Sequence, residues 1–168
     1  VMNQAVRMSV AEHDDIVFDT VSAENMGNRG AILREWYDEN LLKYLKAEYT
    51  KDYPVKSPYV KVMLLDGSGF VSYISNSGTV IHFFYCVDVN DKSCKLESYD
   101  GRNTFLFNYY PAKKAVLPVG YNIPDINTLK NNSKSMAAGC YNKSYPNRHY
   151  CTALIARNGW KIPSDYPW

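Results

Sequence analysis

The sequence lacks charge asymmetry, long apolar runs and familiar catalytic motifs. Its 168 residues carry 19 basic and 17 acidic side chains, a net charge of +2, without a run of five or more like charges. Because this balance provides no polybasic surface, we expect no nucleic-acid partner. No apolar stretch is as long as a transmembrane helix. The nucleophile elbow of hydrolases, the zinc motif of metalloproteases and the glycine-rich phosphate loop are all missing, which argues against an enzyme.

Histidine and cysteine are also few, with three and four copies. His82 lies near Cys86 and His149 near Cys151, which are the residue types that a Cys–His hydrolase uses. A nucleophilic cysteine must be a free thiol, however, and each cysteine here has a local partner for a disulfide. We therefore predict no catalytic residue.

The cysteines fall into two local pairs, Cys86 with Cys94 and Cys140 with Cys151. Four cysteines allow three connectivities, and the local one closes short rings at little cost in loop entropy. We predict these two disulfides, which are typical of an oxidising compartment. A four-cysteine zinc site is the alternative. Zinc ligands usually come in pairs separated by two to four residues, whereas seven and ten residues separate these.

Hydrophobic periodicity predicts a single α+β domain over residues 1–168. An N-terminal helix to about residue 12 packs on an antiparallel sheet of about four strands, and a disulfide-stapled C-terminal lobe begins near residue 118. Two further helices are predicted, at 31–48 and 151–157. The predicted strands are 61–65, 70–74, 80–87 and 105–108.

The loop after the third predicted strand is rich in oxygen ligands. Asp88, Asn90, Asp91 and Asp100 could together hold Ca²⁺, which takes six to eight oxygen ligands in flexible geometry. The alternative is a solvated turn in which these side chains cap the backbone. Three basic residues in the same loop and the absence of EF-hand spacing favour the turn. Calcium is thus the candidate cofactor of this loop.

Tyrosine is abundant, with 15 copies, and several lie in the C-terminal lobe. Tyr141, Tyr145, Arg148 and Tyr150 are residue types that suit recognition surfaces, so they form a candidate interaction surface. The alternative is a disulfide-pinned loop that packs on its own domain. A surface of this kind would make the protein a secreted adhesin or a small-ligand or glycan-binding module.

Four segments carry a family resemblance. They are the opening VMNQAVRMS, the DGS turn at 66–68, the DVND loop that leads through Gly101-Arg102-Asn103 to 105–107, and the closing CTALIARNGWKIPSDYPW. In this order they resemble the soluble part of bacterial type IV pilin-like proteins. These are the prepilin-type subunits of type IV pili and of type II secretion pseudopili.

The resemblance implies a structural subunit and no catalysis. Such subunits wait in the inner membrane and then pack their N-terminal hydrophobic helices into a filament core, while globular heads cover its surface. Residues 1–12 would be the end of that helix, with Val1, Ala5 and Met8 as the remnant of its assembly face. The implied partners are other pilin or pseudopilin subunits, and the implied location is the bacterial cell envelope outside the cytoplasm. Pilus and pseudopilus both remain open.

Overall fold

The computed structural model describes residues 2–13, 22–51, 53, 57–95 and 97–168. These residues form five α-helices and one six-stranded antiparallel sheet, so the predicted α+β class is confirmed. The helices are α1 (Met2–His13), α2 (Arg29–Asn40), α3 (Leu42–Leu45), α4 (Ile126–Asn131) and α5 (Cys151–Arg157). The strands are β1 (Ala47–Tyr49), β2 (Tyr59–Leu64), β3 (Gly69–Ile74), β4 (Ile81–Cys86), β5 (Thr104–Tyr110) and β6 (Ala115–Pro118). Short 3₁₀ turns occupy Ala23–Asn28, Pro111–Lys113 and Ser135–Ala137.

The sheet is a meander in which each strand pairs with the next along the chain. The four predicted strands correspond to β2, β3, β4 and β5, and the prediction of about four strands misses both edge strands. Edge strands are short here, with three residues in β1 and four in β6, which ends on Pro118. Such short segments have too little alternation to be recognised, and proline is tolerated in sheets mainly at edges.

The predicted helix 31–48 is too long, because α2 ends at Asn40. The Asn40 side chain donates from Nδ2 to the carbonyl oxygen of Trp36, 3.0 Å away, and competes with helix propagation. The chain then makes the single turn of α3 and leaves it at Lys46, whose φ of 51° is left-handed. Beyond that point residues 47–49 form β1, which pairs with β2. These residues, predicted as the end of a helix, therefore belong to an edge strand.

One face of the sheet, the helix face, packs mainly against α2. From α2, Leu33, Trp36 and Tyr37 are almost completely buried against strand residues such as Val62 and Phe83. The Trp36 ring is tilted against Phe83, with 6.4 Å between ring centroids, and the Tyr37 ring makes an edge contact with Phe83 at 6.1 Å. We expected the N-terminal helix to provide this cover, but α2 provides most of it.

Helix α1 lies beside the β6 edge of the sheet and also touches α2 and α3. Its buried side is Met2, Ala5, Val6 and Ser9. The Asn3 side chain donates to the carbonyl oxygen of Val116 at 2.7 Å and accepts from its backbone N–H at 2.8 Å. Asn3 thereby satisfies backbone groups that an edge strand leaves unpaired. Of the described helices, none has the length and apolar composition to cross a membrane.

One buried hydrogen bond links α2 to the middle of the sheet. The hydroxyl groups of Tyr37 and Ser72 lie 2.7 Å apart and both residues are fully buried. We expect Tyr37→Phe to lower the free energy of unfolding by about 1–3 kcal/mol, because the Ser72 hydroxyl is left without its partner. In the double variant with Ser72→Ala no polar group remains unpaired, so its loss should be smaller than the sum of the single losses. Urea unfolding measures all three.

The matched control for this cycle is Tyr121→Phe, which removes a half-buried phenol hydroxyl from a surface turn. It should leave the unfolding free energy within about 0.5 kcal/mol of the wild type. A Tyr37→Phe variant as stable as this control would show that the buried hydroxyl pair contributes nothing.

Candidate functional site

The second face of the sheet, the lobe face, is covered by the loop after β4 and by the C-terminal lobe, residues 119–168. Two disulfides hold these segments in place, and they are the predicted pairs, Cys86–Cys94 and Cys140–Cys151. The first disulfide links the loop to the end of β4. The second lies within the lobe and links Cys140 to the start of α5. The alternatives that require free thiols, a zinc site and a Cys–His enzyme, therefore have no thiol to use.

The turn between the loop and β5 fixes how closely the lobe approaches the sheet. Asp100 accepts hydrogen bonds at Oδ1 from the backbone N–H groups of 102–104, at 2.8 to 3.0 Å. Gly101 has a φ of +78°, as this tight turn requires, and a Cβ added there would lie 2.2 Å from Cys151 Sγ. The second disulfide thus packs directly on the turn.

The carboxylates considered for calcium are used as turn caps. Asp88 Oδ1 accepts from the Asn90 backbone N–H at 2.9 Å, and Asp91 Oδ1 accepts from the Ser93 N–H at 2.7 Å. Across the described ranges, no three His, Cys, Asp or Glu side chains come together to hold a metal ion. The geometry supports the capped turn, and calcium binding stays a prediction.

Two residues predicted for an interaction surface are buried instead. Tyr150 is only 9% exposed and Arg148 only 6%. Arg148 donates from Nη1 to the carbonyl oxygen of Cys140 at 3.1 Å, and its guanidinium lies 3.9 Å from the ring centroid of Trp168. These contacts hold the C-terminal tail against the lobe, so their role is internal packing.

The other two predicted surface residues, Tyr141 and Tyr145, are half-buried. Tyr141 packs under the ammonium group of Lys130, which lies 5.1 Å from the ring centroid and 2.7 Å from a carboxylate oxygen of Asp165. Tyr145 lies at the boundary between the lobe and the sheet. Of the four, only Tyr145 lines the concave surface described next.

That concave surface, which we call the sheet cleft, is an open cavity of about 580 Å³. Strands β3, β4 and β5 form its floor, with Phe84 and Leu106 at the bottom. The lobe forms its walls with residues 135–136, 145–147 and 149. A cavity of this size, mostly apolar with a few polar groups, has the dimensions of a small-ligand site.

Four rings stand side by side on the floor of the sheet cleft. Tyr73 stacks on His82 with 4.8 Å between centroids and on Phe84 with 5.9 Å. Phe84 in turn stacks on Tyr99 at 5.5 Å, and the interplanar angles along the row are 26°, 6° and 14°. The four rings thus lie nearly parallel in one row, in which Tyr73 and Tyr99 carry the hydroxyl groups.

The hydrogen bonds of His149 define its tautomer. Its Nδ1 accepts from the backbone N–H of Ala138 at 3.1 Å, so the proton of the neutral ring resides on Nε2. Nε2 lies 3.0 Å from Tyr99 Oη and therefore donates to it. The Tyr99 hydroxyl keeps its own hydrogen as a donor for a group in the cleft. Burial raises the pKa of Tyr99 to about 12, so this hydrogen stays in place at neutral pH.

His82 is held in the opposite tautomer. Its Nδ1 lies 2.7 Å from Oδ1 of Asn108, its directly paired neighbour on β5, and donates to that oxygen. Nε2 then carries a lone pair, for which the described part of the chain provides no hydrogen-bond partner. The sheet cleft therefore presents an acceptor on His82 and a donor on Tyr99.

Sequence reasoning did not identify these residues as a site. In the sequence, His82 is notable only for its position near Cys86, and Tyr73, Tyr99 and Asn108 belong to no recognised motif. The alternation of side chains along a strand could have indicated part of the site. Tyr73, His82 and Asn108 are directly paired across neighbouring strands and so lie on one face of the sheet. Their meeting with Tyr99 and His149 depends on the path of the lobe, which no local pattern encodes.

Comparison with known proteins gives a family without an assigned activity. A family of unknown function, DUF6613, matches residues 1–168. The chain belongs to the DUF6613 family. No curated protein and no solved structure has significant similarity to it. The roles of this DUF6613 member must therefore be argued from its own residues.

The two cleft histidines make stability depend on pH. Burial lowers the pKa of His82 and His149 below the ordinary 6.5, and for His149 the nearby His82 lowers it further. Below about pH 6.5 the unfolded chain then binds more protons than the folded chain, so we expect the free energy of unfolding to fall as pH decreases. Above that pH both rings are neutral in both states and their contribution is constant.

Urea unfolding between about pH 7.5 and pH 5 tests this expectation, because most carboxylates titrate at lower pH. In the double variant His82→Gln/His149→Gln the decrease should largely disappear. An equal decrease in the variant and the wild type would mean that other groups cause it.

Proposed function

We propose that this protein is a structural subunit of a bacterial filament of the type IV pilin-like class, assembled through the helix that includes α1. The resemblance of its four sequence segments to this class supplies the hypothesis. The observation that carries it is the arrangement of α1, which has one face in the domain and another exposed. The filament can be a type IV pilus or a type II secretion pseudopilus.

The two faces of α1 differ sharply in exposure. Ala5 is 2% exposed and packs into the core, whereas Met8 is 46% exposed. Gln4, Met8 and Ala11 are all exposed and lie on one side of the helix, at the spacing of successive turns. Ala5 therefore belongs to the domain contact and not to the assembly face predicted for it. Val1 lies outside the described residues.

Helix α1 is also bonded to the rest of the domain near both of its ends. A helix that sets the orientation of a head in a filament needs such contacts. Near its start, Asn3 bonds to the backbone of Val116. Near its end, the Glu12 carboxylate accepts from Lys43 Nζ at 2.5 Å and from the Tyr44 hydroxyl. The bond from Lys43, followed by that from Tyr44, lowers the pKa of Glu12. A head held in this way would keep a constant orientation in a filament.

In this proposal, the partners are further subunits that contact the exposed face of α1. Before assembly the subunit would be held in the inner membrane by the segment that precedes α1 in its class, and afterwards the head would lie on the filament surface. The two disulfides agree with such an extracytoplasmic location. The role requires no catalysis.

Replacement of Met8 by glutamate tests the assembly face. We expect Met8→Glu in the full-length chain, produced in its own bacterium, to lower the amount of subunit in sheared surface filaments by at least about ten-fold, because a charge enters an apolar contact. The isolated head should unfold within about 0.5 kcal/mol of the wild type, since the site is exposed. Immunoblots of sheared fractions and urea unfolding measure the two effects.

Ile126→Glu is the matched control, because Ile126 is 52% exposed and lies on α4, away from α1. Its filament level should remain normal. Normal incorporation of Met8→Glu would contradict the proposed face. Mass spectrometry of the mature N-terminus tests the class itself: removal of a short basic leader ahead of an apolar helix supports it, and cleavage of an ordinary signal peptide contradicts it.

A further inference from the structure

We propose that the sheet cleft binds a neutral carbohydrate, as one or two pyranose rings held between the floor of β3, β4 and β5 and the lobe segment at Tyr145. This inference does not rest on the filament role. It follows from four properties of the cleft: its charge, the arrangement of its aromatic rings, its hydrogen-bonding groups, and its apolar lining and size.

The charge of the cleft excludes anionic ligands. Among the described residues that line it there is no Lys and no Arg, and Glu97 at the rim is the sole carboxylate. Both lining histidines are neutral at pH 7, since burial lowers the pKa of each. Phosphates, carboxylates and acidic sugars would therefore find no positive partner among the lining residues and would meet a negative charge at Glu97.

The ring arrangement does not favour an ammonium ligand. Cation recognition by aromatic residues requires open ring faces around the charge. In the cleft Tyr73 stacks with both His82 and Phe84, and Tyr99 stacks with Phe84, so these rings lie nearly parallel in one row. The edge of His149 meets Tyr99 as well, at 4.8 Å between centroids. The row does not form a cage.

The polar groups match sugar hydroxyls, each of which can donate and accept. Tyr99 has a hydroxyl hydrogen to donate, because its oxygen already accepts from His149. His82 Nε2 accepts, because Nδ1 is committed to Asn108. A hydroxyl that accepts from Tyr99 and a neighbouring hydroxyl that donates to His82 would use both groups in their neutral forms.

The apolar groups match the C–H faces of a pyranose. Leu106 and Val119 lie at the bottom of the cleft, and Met136 lies on its wall. Tyr145 lines the cleft and stacks on no other ring in the described part of the chain, and we infer that its ring packs against the sugar. Tyrosine serves such contacts because it combines an apolar face with a polar tip. The cavity of about 580 Å³ accommodates one or two such rings.

Saturation-transfer NMR on the 168-residue chain tests the proposal. The neutral probes are methyl β-D-galactopyranoside, N-acetyl-D-glucosamine and maltose, and the anionic probe is D-glucuronic acid, each at millimolar concentration. We expect at least one neutral probe to receive saturation and glucuronic acid to receive none. Titration of the best probe by tyrosine fluorescence then gives a dissociation constant.

Two variants locate the binding. Tyr99→Phe keeps the ring and removes the donor, so it should weaken binding about 5–10-fold. Tyr145→Ala removes the open ring and should weaken it by a similar factor. Tyr121→Phe, which removes a half-buried phenol outside the cleft, should bind as the wild type does. Thermal unfolding of each variant checks that the domain is intact.

Three results would overturn the inference. They are the absence of saturation for every neutral probe, equal or stronger binding of glucuronic acid, and unchanged affinity in folded Tyr99→Phe and Tyr145→Ala. Loss of affinity in both variants with the control unaffected would support it. The assay uses the isolated domain, so its outcome is independent of whether the protein assembles into filaments.

Discussion

The two central strands, β3 and β4, carry large apolar side chains on both faces, and the structure depends on covering both. Phe83 and Phe84 are adjacent on β4, point to opposite faces and are both buried. Burial of each such ring contributes roughly 1.5–3 kcal/mol. A sheet that is apolar on both sides needs two covering layers. Here α2 covers one side, and the loop after β4 together with the C-terminal lobe covers the other.

The two covering layers are built on different principles. Helix α2 forms its own backbone hydrogen bonds and needs only an apolar side to pack on the sheet. The lobe has little regular structure and is held by specific links. These are the Cys140–Cys151 disulfide, its contact with the turn at Gly101 and the stacking of Arg148 on Trp168. The irregular layer leaves part of the sheet uncovered, and the sheet cleft lies over that part.

The two proposals for this DUF6613 member use separate surfaces. Helix α1 lies at the β6 edge, and its exposed side faces away from the domain, while the sheet cleft opens on the lobe face. A subunit held through α1 could therefore present the cleft to solvent. Sugar binding by many identical heads along a filament would add avidity to a weak single site. The two roles are compatible, and each can fail without the other.

By itself, the sequence determined what short-range physics governs: the α+β class, the central strands, α5 and the pairing of cysteines that lie close along the chain. Apolar periodicity and small ring sizes are local properties, so they can be read without a fold. Tertiary structure decided the rest. It placed residues 47–49 in an edge strand instead of a helix, added β6 at the other edge, and buried Arg148. It also brought Tyr99 against His149, 50 residues further along, because the path of an irregular lobe depends on contacts that form only once the sheet exists.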